Sequence, residues 1–336
     1  MRNLGKVGVI FTGGGLAGCY SMGFAKALAE KGIRPDYVQG VSVGALTAAK
    51  LMGTGWSIEE TEKLWLRIQE LGADSLFNKW DWKKAFWLPQ AIYSEKGIWE
   101  LIIDTIDCAK VMESPTKFHV VANNRNKKRF VAFSNHDAEV RKDPSRIKKI
   151  LQATTGLYGF LPSICIDGDW YGDGMSFMLN EALKARCDTI FILMNDQFGA
   201  TSHNYGEQSF PKQLISGFRD CVLQLDTREI KYARGRGYDI IENNPSGHFD
   251  DANPLHKTVR RRLRHIADGL REAATNAEAK DVFVPHRIVV LTPPKPIPSL
   301  HTLGFKQANP KTGYPGDISL AIEQCSKLPD EFWEKI

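Results

Sequence analysis

The strongest constraint on the fold lies in the first 55 residues, where the spacing of apolar residues changes period again and again. Lys6 to Thr12 (KVGVIFT) is a short, nearly continuous apolar run ending in glycines, the pattern of a strand covered on both faces. Leu16 to Lys31 repeats apolar residues at helical spacing and stops at Gly32, a residue suited to the end of a helix. Tyr37 to Val41 is a second short strand, and Val43 to Met52 is rich in Ala and Leu before Gly53 and Gly55 interrupt it. Strand, helix, strand, helix in so short a span predicts an α/β fold with a parallel sheet and helices packed on it.

The rest of the chain fits that frame. Residues 57 to 108 read as helix in pieces, broken by the aromatic stretch FNKWDWKKAFWLP. Lys117 to Phe133 is two apolar runs around a polar, basic turn, hence a hairpin. A helix is expected over Pro144 to Thr155, then short strands and tight turns through ICIDGDWYGDG, a helix near Asn180 to Arg186 and a buried strand in DTIFILMND. Two long helices are expected over 210–237 and 255–277, joined by the loop ENNPSGHFDD. HRIVVLTP is a last apolar strand, and a short helix near Ile318 to Ser326 closes the chain.

The 336 residues, 43% hydrophobic and 25% charged, suffice for a sizeable core. A net charge of +5 favours anionic surfaces but is too small to argue for nucleic acid. The six scattered cysteines form no C-x-x-C pair, so they read as reduced thiols rather than a zinc site or disulfide framework. No signal peptide is expected in MRNLGKVGVIFTGGG, and no apolar run approaches the roughly 20 residues of a membrane span. A cytoplasmic setting follows as the expectation.

Gly40-Val41-Ser42-Val43-Gly44 sits where the second strand turns into the second helix. Such a turn brings two backbones together, so glycine suits the positions on either side, and the central serine is pushed outward in a sparsely populated conformation. The new helix contributes free N–H groups and a partial positive charge beside that hydroxyl. This makes Ser42 a candidate nucleophile; the plainer alternative is a tight turn in which Ser42 caps the helix. Gly13-Gly14-Gly15-Leu16-Ala17-Gly18 lies at the equivalent turn after the first strand. Neighbouring strand ends in such a sheet open onto one crevice, so the glycine amides would face Ser42 as an oxyanion hole. The same glycines resemble a dinucleotide fingerprint, but that needs an acid at the end of the second strand, and Asp36 precedes it.

A serine needs a base. None of the eight histidines sits in a motif that marks it as one. Asp173, in Trp170-Tyr171-Gly172-Asp173-Gly174-Met175, lies in a glycine-flanked, semi-buried segment and could touch Ser42 directly, or simply form an Asx turn beside Gly174.

The three elements in this order, GGGLAG at 13–18, GVSVG at 40–44 and DGM at 173–175, resemble the patatin-like phospholipase family, and the likeness runs over roughly residues 6–195. It implies a three-layer α/β/α fold with a central, mostly parallel sheet, and a Ser-Asp dyad acting on lipid acyl esters without metal or cofactor. By that likeness Ser42 is the nucleophile, Asp173 the base, and the amides of Gly13, Gly14 and Gly15 the oxyanion hole. Residues 1–200 would form the catalytic core, with a helical and aromatic insertion near 57–110. Residues 201–336 would add a helical extension and a closing strand on the same domain. Acyl transfer, thioester hydrolysis or non-catalytic lipid binding use the same scaffold. The chain departs from the family pattern at Ala17, where Arg is common, at Tyr158, where Pro is common, and at Met175, where Gly or Ala is usual.

Two segments bear on a lipid surface. Trp80, Trp82, Phe86 and Trp87 alternate with Lys79, Lys83 and Lys84, which suits a bilayer interface, a lid or the core of the insertion. HKTVRRRLRHIADGL places Val259, Leu263, Ile266 and Leu270 on one helical face and arginines on the other, fit for peripheral contact with an anionic membrane or for solvent.

Overall fold

The protein is seen here as a computed structural model that describes residues 3–79, 91, 93–157, 159–195, 225–226, 228–233, 238–243, 285, 287–295, 297, 299–300 and 304–336. Tyr158, the aromatic segment from Trp80 to Gln90 and the basic helix expected over His256 to Leu270 lie outside the described residues.

The strands are β1 (Val7–Phe11), β2 (Tyr37–Val41), β3 (Asn78–Lys79), β4 (Tyr93–Ser94), β5 (Lys117–Asn124), β6 (Arg129–Ser134), β7 (Ile164–Ile166), β8 (Asp169–Asp173), β9 (Thr189–Leu193), β10 (Ile240–Glu242) and β11 (Arg287–Leu291). The α-helices are α1 (Cys19–Glu30), α2 (Val43–Gly53), α3 (Ile58–Leu71), α4 (Lys96–Leu101), α5 (Cys108–Glu113), α6 (Ala138–Arg141), α7 (Ser145–Thr154), α8 (Leu179–Lys184), α9 (Asp317–Ser326) and α10 (Asp330–Lys335). The main sheet runs β10-β11-β9-β1-β2-β5-β8-β7, with β6 also paired to β5. From β10 to β5 every pairing is parallel, whereas β6, β8 and β7 join antiparallel.

Alternation along the strands splits the interior into two cores, one on each face of the sheet. Val7, Val9, Phe11, Val38, Phe118, Val120, Phe191, Leu193, Val289 and Leu291 pack with residues of α1, α2, α7 and α9. Ile10, Tyr37, Val41, Val121, Ile190, Ile192, Ile288 and Val290 pack on the other side with α8 and with helical residues 228–233. The strands are therefore buried on both faces, which is why they read as continuous apolar runs, and the architecture is the three-layer α/β/α arrangement the motifs predict. Each fully buried Ile, Phe or Leu here contributes about 1.5–3 kcal/mol relative to exposure.

Among the described residues the predicted elements lie close to their expected bounds, with informative differences; the helix expected over 255–277 lies outside them. The first helix opens as a single 3-10 turn over Gly15–Gly18 and becomes α-helical only at Cys19, because Gly14 and Gly15 take backbone angles (φ 146 and 60) that no regular helix accommodates. β10, over Ile240–Glu242, is a strand the sequence pattern does not predict, and it ends at the first residue of the expected loop ENNPSGHFDD; three residues are too few to show a period. Residues 225–226 and 228–233 of the first expected long helix are helical. At the C-terminus, α9 crosses α1 so closely that a Cβ on Gly23 would fall 2.6 Å from the Ile322 carbonyl oxygen. Gln69 of α3 grips the same region, donating to the Pro315 carbonyl and accepting from the Ser319 amide.

Candidate active site

The pairing of β5 decides where the site forms. β6 pairs with His119 to Asn124 along one edge of β5. The other edge is shared: β2 pairs with Lys117 to Val121, and β8, coming from the opposite direction, pairs with Ala122 to Asn124. The C-terminal ends of β2 and β8 therefore meet head to head. Val41 is opposite Val121, Asp173 is opposite the next residue, Ala122, and Ser42 is the residue that leaves β2 at the junction.

Ser42 sits at φ 53, ψ −129, a conformation that L-residues rarely adopt. The glycines around it are sterically required. A Cβ on Gly40 would come within 2.4 Å of Ala45 Cα, and one on Gly44 within 2.4 Å of the Phe11 carbonyl oxygen. The Ser42 carbonyl accepts from the Ala45 amide and so starts α2, but the side chain makes no capping bond. The alternative of Ser42 as a helix cap is thereby corrected: with φ positive, its side chain leaves the first turn of α2 uncapped and lies on the Asp173 side of the junction, where its hydroxyl lowers the Asp173 pKa.

Thr154, at the end of α7, fixes the turn from behind. Its hydroxyl accepts from the Ser42 amide at 2.9 Å and donates to the Val121 carbonyl, so one buried side chain ties the serine to β5. Nothing in the run ATTG distinguishes this threonine from its neighbours before the fold is known.

Asp173 is only 8% exposed. Its amide donates to the Gly156 carbonyl, and its carboxylate accepts from the Met175 amide at 2.7 Å. The Asx turn is thus present, in a carboxylate whose pKa also responds to Ser42. Burial pushes its pKa up to about 6, against the opposing effects of the Ser42 hydroxyl, the Met175 amide and the Arg125 charge. Gly174 must be glycine, since a Cβ there would lie 2.5 Å from the Val121 carbonyl oxygen. Met175 carries a positive φ of 57, the backbone that Gly tolerates best, and its side chain helps line the cleft beside Asp173.

The glycine loop faces the same junction. A Cβ on Gly13 would rest 3.5 Å from Ser42 Cβ and 3.8 Å from the Met175 carbonyl oxygen. Asn195, just past the end of β9, holds the loop from the far side. Its Nδ2 donates to the Thr12 and Gly13 carbonyls at 2.7 and 3.1 Å, and its Oδ1 accepts from the Ser21 amide and hydroxyl. Among the described residues, no group accepts a hydrogen bond from the amides of Gly13, Gly14 or Gly15. Asn195 thus ties the start of the glycine loop to α1.

Other candidates fall away from the site. Asp36 lies at the opposite end of the strands, where its carboxylate accepts from the Val7 amide, so it is no ribose-binding acid. The two described histidines are engaged elsewhere: His119 against Tyr37, with burial lowering its pKa to about 4, and His136 at the Ser114 carbonyl. Among the described residues no group of three His, Cys, Asp or Glu is arranged to hold a metal, and no helix is long and apolar enough to cross a membrane.

No curated protein sequence matches this chain. Among solved structures, the crystal structure of VipD from Legionella pneumophila is similar at a TM-score of 0.42 and 12% identity, covering 99% of this chain and 67% of that one. The family model described as patatin-like phospholipase matches residues 9–179, a span that takes in the glycine loop, the elbow and the aspartate motif. That match spans half of the chain, and the protein belongs to the patatin-like phospholipase family, a family of lipid acyl hydrolases.

Proposed function

We propose that the protein is a serine lipid acyl hydrolase in which Ser42 is the nucleophile, Asp173 its base, and the Gly13, Gly14 and Gly15 amides the oxyanion hole. The observation that supports this reading is the head-on meeting of β2 and β8 on one edge of β5, which brings Ser42, the residue after β2, beside the buried carboxylate that ends β8. Asp173 takes the Ser42 proton as Oγ attacks the ester carbonyl of a lipid. Negative charge develops on the carbonyl oxygen beside the glycine amides, where each preorganised donor lowers the barrier by about 3 kcal/mol. The tetrahedral species collapses, and the departing alcohol of the lipid takes the proton from Asp173. Water then gives a proton to Asp173 and attacks the acyl-serine. The fatty acid is released, and Ser42 regains its proton.

A carboxylate of ordinary acidity is a weak base for a hydroxyl. Burial that raises Asp173 to about 6 narrows the mismatch, and direct contact removes the need for an intervening imidazole. Ser42→Ala and Asp173→Asn should each reduce hydrolysis of a short p-nitrophenyl ester by about a thousandfold or more while the circular dichroism spectrum is kept. Full activity in either variant would remove that residue from the mechanism.

A further inference from the structure

The β5–β6 turn carries a run of polar and basic residues, NNRNKKRF, to the rim of the candidate site. A cleft of about 520 Å³ opens there, lined by Asn123, Arg125, Lys128, Arg129, Phe130, Met175 and the proposed base Asp173. Three cations therefore surround a space whose inner wall is the dyad carboxylate. They differ in how they are held. Arg125 is anchored: its guanidinium donates to the Gly156 carbonyl at 2.8 Å and lies across Gly172, where a Cβ would come within 2.3 Å of Nη2. Lys128 and Arg129 are exposed and, among the described residues, have no carboxylate within salt-bridge distance. The neighbouring Lys127, by contrast, is paired with Asp169.

Two aromatic side chains flank the turn. Phe130, 40% exposed, is opposite Asn123 from β6, and Trp170, 42% exposed, meets the Arg125 amide through its carbonyl from β8. Because Gly172 is also opposite Asn123, and Trp170 is two residues before it, Phe130 and Trp170 share one face of the sheet. Cations interleaved with exposed aromatics match the boundary between a phosphate layer and the first methylenes of a lipid.

Resting on the reading of Ser42 and Asp173 as an esterase dyad, we propose that this cleft is a headgroup subsite that selects ester lipids bearing a net-negative phosphodiester. Lys128 and Arg129 pair with the phosphate, while Phe130 lies along the glycerol and the start of the acyl chains. When the scissile carbonyl is at Ser42, the alcohol side of the ester leaves past Asp173, and the cleft that begins at Asp173 is where its headgroup extends. A neutral sugar or a free hydroxyl would strip water from these cations without returning a charge to them, whereas a phosphate gives charge-assisted bonds.

The test uses the full chain with two short-chain diacyl substrates at equal surface density in uncharged detergent micelles, one with a phosphoglycerol headgroup and one with a bare glycerol hydroxyl. The readout is the ratio of their kcat/KM values, which cancels any general loss of folded enzyme. The double substitution Lys128→Gln, Arg129→Gln should lower that ratio about tenfold to a hundredfold, chiefly through KM on the anionic lipid. Lys142→Gln, at a distant exposed lysine paired with Glu139, should leave it unchanged. An unchanged ratio in the double variant, or an equal fall with Lys142→Gln, overturns the subsite. A second arm measures calorimetric binding of a non-hydrolysable diether phosphoglycerol monomer and does not depend on turnover. Tight binding to the parent protein and weak binding to the double variant supports the subsite even if no ester is cleaved, a result that would instead sink the dyad. Inorganic phosphate that displaces the diether at equal affinity would make this a free-anion site and overturn the lipid assignment.

Discussion

Asp173 ends β8 one residue further along β5 than the point where Val41 ends β2: their partners, Val121 and Ala122, are consecutive. Two strands running in opposite directions thus abut on a single edge, and the serine released by one meets the aspartate that closes the other. Residues 131 positions apart come together through strand register, which holds them more rigidly than two loops would.

That junction predicts opposite pH trends for activity and stability. Asp173 must be ionised to accept a proton, so kcat/KM should climb through about pH 6 and level off above it. Burial raises the folded pKa of Asp173 from 3.8 to about 6 and that of Asp226, which accepts from the Ser176 hydroxyl, to about 8. The folded state therefore binds more protons than the unfolded state above pH 4. Stability from these groups is greatest on the acid side and falls as pH rises through 6 and then 8. Asp226→Asn should flatten the decline of Tm between pH 6 and 8; an identical slope in the variant would show that Asp226 is not the group responsible.

Thr154→Val keeps the shape of α7 and removes the hydroxyl that joins the Ser42 amide to the Val121 carbonyl. Two buried backbone groups lose their partner, an expected cost of about 1–3 kcal/mol. Because the elbow is no longer held, kcat should fall with it while Thr154→Ser, which keeps the hydroxyl, restores most of the rate. Thermal melts and ester kinetics on the three proteins check this, and equal rates in all of them would assign Thr154 to packing alone.

Asn195→Ala frees the Thr12 and Gly13 carbonyls and unpins the glycine loop. The expected outcome is a loss in kcat of about tenfold to a hundredfold, since the donors must be preorganised to stabilise the oxyanion, with KM changed much less. A purely structural asparagine would instead lower Tm and leave the kcat of the folded fraction intact.

Gly44→Ala should be among the most damaging single substitutions, because its methyl group would sit 2.4 and 2.5 Å from the Phe11 and Thr12 carbonyl oxygens, both backbone. Such overpacking costs about 1–3 kcal/mol or more and would be read as a lowered denaturant midpoint. A midpoint equal to that of the parent would mean the two turns are not packed this closely.

Much of this was legible in the sequence because it depends on local chemistry. VGVIF and YVQGV read as strands since both faces of each are covered, and Gly40 and Gly44 flagged the elbow since only glycine allows two backbones so close. Ser42 and Asp173 could be nominated from the glycines around them, and a direct contact between them expected; the strand register that brings them together could not be read, because apolar alternation carries no information on which edge of β5 a strand will take. Thr154 and Asn195 were invisible for a related reason: a buried hydroxyl or amide shows its role only when the carbonyls it satisfies are known. α10 passed unread because DEFWEK is too short for its two apolar residues to reveal a period.

An activated hydroxyl at Ser42 is read out by a fluorophosphonate probe followed by peptide mass mapping. A single stoichiometric adduct on Ser42 is expected in the parent protein, and its loss in Asp173→Asn as well as in Ser42→Ala. An unlabelled Ser42 in folded protein, or labelling that persists in Asp173→Asn at the parent's rate, would contradict that activation.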